Sequence, residues 1–216
     1  MMTESQKSKL AEYTAAKASC PARERLAALF DDGVFTETAS GRNEGVVTAY
    51  GYINGCPAYA FSQDSTVSKG AVSRAHSEKI CRMFDLAAKN GVPVVGIYDS
   101  CGAFIEDGAD ALNAYSEILL EAGNLSGVVP TVSVVSGVCA GSMAVIACAA
   151  DYVVMTEKAE LYAAAGGDAG VKAAVESGAV SASAADDAEA MESVRKYLSL
   201  MPQNNLSPLP EFEFDA

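Results

Sequence analysis

The stretch Pro130–Thr156 (PTVSVVSGVCAGSMAVIACAADYVVMT) holds no charged side chain before Asp151. A run of this kind has to be buried, and its period says how. Thr131–Ser136 is a short β-branched segment bounded by Pro130 and Gly137, the pattern of a strand covered on both faces. The small residues Gly137-Val138-Cys139-Ala140-Gly141-Ser142 then read as a turn into a helix, Ser142–Ala150, whose first amides find no partner inside the helix. Such amides can receive an anion. Tyr152–Met155 reads as a second buried strand. The same glycines would equally serve close packing of a helix on a sheet. A membrane span fits poorly, because Pro130, Gly137, Gly141 and the hydroxyls of Ser133, Ser136 and Ser142 leave no run of about 20 apolar residues.

The same device stands earlier in the chain. Val94–Tyr98 is a buried strand, Asp99–Gly108 (DSCGAFIEDG) a loop of mostly small residues, and Ala109–Gly123 a helix. Parallel neighbouring strands would bring both turns to one edge of a sheet. Backbone amides converging there form an oxyanion hole, which holds negative charge on a thioester oxygen as an enolate develops.

The rest of the chain supplies the frame. Pro21 opens a helix with Leu26, Leu29 and Phe30 on one face. Val46–Tyr52 alternates with period two, Asn54-Gly55 is a hairpin turn, and Pro57–Gln63 returns as the partner strand. Ser65–Gly70 is a loop. The spacing of Ile80, Met83, Phe84 and Ala87 predicts a helix over Ala71–Asn90, ended by Gly91 and Pro93. Leu161–Gly167 reads as a small-residue linker into a helix over Val171–Ser177. Asp186-Asp187-Ala188-Glu189 caps a last helix with the apolar stripe Met191, Val194, Leu198 and Met201. Met1–Ser19 reads as an amphipathic helix without chemistry. The organisation expected is an extension (1–21), one α/β domain (22–203) and a linker-like tail (204–216).

The net charge of −13 disfavours nucleic acid and anionic membrane surfaces as partners. A phosphate-bearing ligand would need a local cation, with Arg23, Arg25, Arg42, Lys69 and Arg74 as candidates. The six cysteines form no C-x-x-C pair and no signal peptide precedes them, so reduced thiols and a cytoplasmic location are expected. With one histidine, His76, placed mid-helix by this reading, a zinc site or a Ser-His-Asp triad has little to work with. No metal site is expected.

From Arg23 to Asn205 the sequence resembles the N-terminal half of the carboxyltransferase subunits of biotin-dependent carboxylases and decarboxylases, of the propionyl-CoA carboxylase and methylmalonyl-CoA decarboxylase type. Arg23-Glu24-Arg25-Leu26 with Gly33-Val34-Phe35-Thr36-Glu37 is similar to the family's opening. Gln63, Asp64, Thr66 and Val67, then Ala75, His76, Glu78 and Lys79, match its Q-D-x-T-V loop and A-H-x-E-K helix. Asp99–Gly108 is similar to its D-S-G-G-A-R-I-Q-E-G, and Gly137–Ser142 to its G-P-C-A-G-G.

The resemblance implies a crotonase-like α/β fold, a superhelix of ββα units, that binds an acyl-CoA thioester and polarises its carbonyl with loop amides. Those amides would be at Gly102, Ala103, Gly141 and Ser142. Cys101, Phe104, Gly137, Cys139 and Ala140, with Lys69 and Gly70, are the substrate-binding candidates. It also implies biotin on a separate carrier protein and a second, C-terminal-type half, since the family's chain continues beyond a segment like Leu198–Pro208 and some decarboxylases encode the halves separately. Ala163–Gly167, the apolar stripe and Phe212 with Phe214 are candidates to meet that half.

Departures from the pattern are Cys101 for glycine, Phe104 for arginine, Glu106-Asp107 for Gln-Glu and Ser142 for glycine. Ala163-Ala164-Ala165 stands where a T-G-P turn is usual. Two other functions stay open: a stand-alone crotonase-type hydratase or decarboxylase with Glu106, Asp107 or Tyr98 as acid or base, and a subunit that only assembles or regulates a complex.

Overall fold

The computed structural model describes residues 20–39, 44–162 and 167–211. Helix α1 (Pro21–Leu29) is followed by β1 (Phe35–Glu37), the hairpin β2 (Val46–Ile53) and β3 (Cys56–Gln63), and α2 (Arg74–Asn90). Two strand–helix steps follow, β4 (Val94–Ser100) with α3 (Ala109–Leu125) and β5 (Thr131–Ala140) with α4 (Ser142–Cys148), and then β6 (Tyr152–Thr156). After β7 (Glu160–Tyr162) come α5 (Val171–Glu176), β8 (Ala182–Ala184) and α6 (Asp187–Leu200).

The sheet runs β1-β2-β3-β4-β5-β6-β8, with β7 paired to the far end of β5. The hairpin pairs antiparallel, and from β3 onward every pairing is parallel. Alternation sorts the strand residues between two layers. Phe61, Val94 and Tyr98 face Ile80, Met83 and Phe84 of α2, Ile118 of α3 and Met143 of α4. Val95, Ile97, Val132 and Val134 face Leu26 and Leu29 of α1 and Met191 and Val194 of α6. Every residue of β4 is buried, the apolar run Val94–Tyr98 and with it the polar Asp99 and Ser100 at its end.

Three expectations change. β5 runs to Ala140 instead of stopping at Ser136, because Val138–Ala140 pair with β7. Helix α2 begins at Arg74, since Val72 is engaged in a bridge to Ala103 and Ser73 caps the helix by accepting from the His76 amide. His76 therefore lies in the first turn, not mid-helix. Met191, Val194 and Leu198 are core residues, so most of the stripe is not a surface for a partner. The three-residue strands β1, β7 and β8 are too short to show a period. The helix expected over Met1–Ser19, Arg42, Ala163–Ala165, Phe212 and Phe214 lie outside the described residues.

Candidate functional site

The carboxyl ends of β3, β4 and β5 bring three segments together around Asp99. Its N–H donates to Gln63 Oε1 at 3.0 Å. Its carbonyl lies so close to Gly70 that a Cβ there would overlap it, and its carboxylate fills the space a Cβ on Gly137 would need. Arg25 Nη1 at 3.0 Å and Ser65 Oγ at 2.7 Å both donate to Asp99 Oδ2. Gln63 in turn donates to His76 Nε2 at 3.2 Å, and His76 Nδ1 donates to the Glu44 carbonyl at 3.1 Å. Burial pushes His76 down to about 3, so the ring is neutral and serves as a structural link.

The loop after β4 is laced to the Ser65–Ser73 segment. Cys101 N–H donates to the Lys69 carbonyl, Val72 N–H to the Gly102 carbonyl and Phe104 N–H to the Val72 carbonyl. Gly102 N–H is taken by Ser100 Oγ at 3.2 Å. The amide between these, that of Ala103, has no acceptor among the described residues, and Ala103 is exposed.

At the end of β5, Gly141 turns the chain with φ 65° and ψ −136°, a conformation open to glycine. Its own N–H donates to the Tyr162 carbonyl at 3.1 Å. The next two amides, of Ser142 and Met143, have no acceptor among the described residues. Of the four backbone positions singled out in the sequence, Ala103 and Ser142 thus present unoccupied donors at the ends of adjacent parallel strands. Gly102 and Gly141 shape the turns with amides already engaged.

The remaining candidates divide by burial. Lys69 and Cys101 are exposed, and Phe104 and Ala140 half-buried. Gly70 is buried under Asp99, and Gly137 is half-buried against its carboxylate. Cys139 is fully buried, and burial, with Cys148 and Asp99 nearby, holds its thiol far above the ordinary range. It is core, not an exposed contact for a ligand. Tyr98 is also buried, beside Ser133, with its phenol raised by that burial. Asp107 Oδ2 accepts from the Arg74 N–H at 2.9 Å. Of the possible acids and bases, Glu106 alone is fully on the surface.

A cavity of about 410 Å³ opens beside the β4 loop, walled by Val67, Ala71, Phe104 and Arg74 and by the carboxylates Glu44, Glu78 and Asp107. Arg74 Nε pairs with Glu78 Oε1 at 3.1 Å. Arg23 is paired with Glu37, and Arg25 with Asp99 and Asp187. These two arginines, candidates for phosphate in the sequence, are structural. Among the described residues no cluster of histidine, cysteine and carboxylate could hold a metal ion, and no helix is long and apolar enough to cross a membrane.

Residues 15–216 match the model of the carboxyl transferase domain. Methylmalonyl-CoA decarboxylase subunit alpha of Propionigenium modestum is 36% identical over 88% of this chain and 43% of its own length. The propionyl-CoA carboxylase beta chain of Roseobacter denitrificans is likewise 36% identical over 88% of this chain and 43% of its own. The chain thus spans about half the length of the curated relatives it matches. Among solved structures, transcarboxylase 12S with hydrolysed methylmalonyl-coenzyme A bound superposes with a TM-score of 0.86 at 30% identity, over 95% of this chain and 50% of that one. A chain of the Pseudomonas malonate decarboxylase hetero-dimer gives 0.74 at 28% identity, over 82% of this chain and 84% of that one. The strand order, the two turns and these likenesses lead to one conclusion: the chain belongs to the carboxyl transferase domain family and has its crotonase-like α/β fold.

Proposed function

We propose that this chain is the acyl-CoA-binding half of a split, biotin-dependent carboxyltransferase. The observation that carries the reading is the pair of unoccupied amides, Ala103 and Ser142, one at the end of each of two adjacent parallel strands. Both donate to one thioester oxygen. As negative charge grows there, each bond strengthens, and loss of one such donor costs about 3 kcal/mol in transition-state stabilisation. Gly102 and Gly141 keep the approach to the two amides free of side chains. Carboxybiotin, on a separate carrier, would supply the carboxyl group and, on breakdown, the base. A side-chain base is then unnecessary, which fits the burial of Tyr98 and the bonded state of Asp107.

Two observations support a partner half. Leu112 and Leu120 of α3, Ile105 and Val145 are exposed by 68%, 63%, 89% and 53%, large apolar side chains left uncovered on the elements that follow the two strand ends. The malonate decarboxylase neighbour is a hetero-dimer in which one chain is matched over 84% of its length. The acyl-CoA itself is proposed from the transcarboxylase neighbour and its bound methylmalonyl-coenzyme A.

One observation favours a second reading, a subunit that assembles a complex without binding CoA. The cavity beside the β4 loop has three carboxylates to one guanidinium, and Phe104 stands where the family has arginine. A phosphate there meets net negative charge. Calorimetric titration with acetyl-CoA and propionyl-CoA separates the two: saturable binding supports the carboxyltransferase half, and no heat with either thioester supports the assembly subunit. Turnover is expected after a C-terminal-type subunit and a biotinylated carrier are added.

A further inference from the structure

We infer that Asp99 is the positioning residue of the amide pair, the one side chain that sets the spacing of the two strand ends. The inference rests on the oxyanion reading above. The β4 loop is tied to the Ser65–Ser73 segment and the end of β5 to Tyr162, while the two strand ends themselves meet in the pairing of Ser100 with Cys139. Asp99 lies at the register slip just before that pairing. Its main chain carries the β4 end, held by Gln63 on one side and pressed on Gly70 on the other. Its carboxylate lies against Gly137, four residues before Gly141, where any side chain on β5 would collide with it.

The register of the two strands slips at this place, between Tyr98 and Ser100. The ladder is disrupted locally at the slip and resumes with Ser100 opposite Cys139, and the Asp99 carboxylate fills the space beside Gly137 within that gap. The carboxylate is locked by Arg25 and Ser65, and Arg25 is held in turn by Asp187 at 3.0 Å. Asp99 is 8% exposed, so the lock is sheltered from solvent. Asp99 does not itself reach a substrate. It acts through Ala103 and Ser142, and the carboxylate, which takes both Arg25 and Ser65 at Oδ2, holds the guanidinium with a charge-assisted bond that a neutral amide oxygen makes more weakly.

The test is the infrared difference spectrum of acetyl-CoA labelled with ¹³C at its carbonyl, bound to the full chain. In the wild type the carbonyl stretch moves to lower frequency on binding, because two amides polarise it. Asp99→Asn keeps the shape of the side chain and is expected to bind acetyl-CoA as tightly, melt at a lower temperature because the Arg25 pair is broken, and lose most of the downshift. Glu37→Gln, which breaks the similarly sheltered Arg23–Glu37 pair on the same helix, is expected to lower the melting temperature and keep the full downshift. If Asp99→Asn does not fold, Ser65→Ala reads the same lock with a partial loss. A full downshift in Asp99→Asn, or in Ser65→Ala where that variant stands in, overturns the inference. A wild-type chain that binds acetyl-CoA without any downshift removes the oxyanion reading, and the positioning role falls with it.

Discussion

The two strand ends that meet at the candidate site are closed by different means. After β4 the chain makes the long excursion Cys101–Gly108, and its backbone is fastened to a separate segment, Lys69 to Val72, by Cys101, Gly102 and Phe104. After β5 the strand itself continues, paired with β7, until the single residue Gly141 turns it into α4. The first loop depends on packing far away in sequence, through Gly70, Gln63 and His76. The second depends on one backbone conformation. Each nonetheless ends with an amide free to donate. The same chemical outcome is reached by a tertiary lock in one case and a local turn in the other, and perturbations should tell the two apart.

The largest effect is expected from Gly141→Val. The turn has room for a side chain but not the backbone angles, so the Ser142 amide swings away. Turnover of the assembled enzyme should fall about 10²–10³-fold with the fold kept, and equal activity would remove Ser142 as a donor. Gly70→Ala strikes the other loop through packing. Its φ of 66° and the overlap with the Asp99 carbonyl should together cost roughly 3 kcal/mol in a urea melt. A wild-type midpoint would show that the first loop does not rest on Gly70.

Acid should separate the two regions next. His76 is held at about 3 when folded, against an ordinary 6.5. The unfolded chain therefore binds its proton first, and stability present above about pH 6.5 is lost as pH falls toward 3, by about 1.4 kcal/mol for each pH unit. Urea melts at pH 7 and pH 5 should therefore differ by about 2 kcal/mol, and His76→Asn should remove most of that difference. The smallest effect belongs to the double variant Cys101→Ser, Cys139→Ser. Cys139 is buried with its thiol protonated, and neither residue has a histidine to activate it. Turnover should persist, with about 1 kcal/mol lost to the buried hydroxyl. Abolished turnover with CoA binding retained would make one of them a nucleophile.

The hairpin, β4, β6 and the helices were legible because their residues obey a period, and Asn54-Gly55 marks its own turn. The strand–turn–helix device was legible for the same reason, including the families of amides it exposes. What could not be read is which amide is free. That depends on partners remote in sequence: Tyr162 occupies Gly141 and Ser100 occupies Gly102, so the donors shift to Ser142 and Ala103. The extension of β5 to Ala140 was hidden in the same way, because β7 is too short to announce itself. Arg23 and Arg25 looked available for phosphate, since charge alone does not reveal that Glu37, Asp99 and Asp187 fold back onto them. A signal for the Asp99 lock did exist. Gly70 and Gly137 are small where the chain approaches a strand end, but only the fold shows that both make way for one residue.

The most direct measurement is a crystal structure of the chain with propionyl-CoA. The account predicts the thioester oxygen about 3 Å from both the Ala103 and the Ser142 nitrogens. A thioester oxygen held by side chains, or by neither amide, would contradict it.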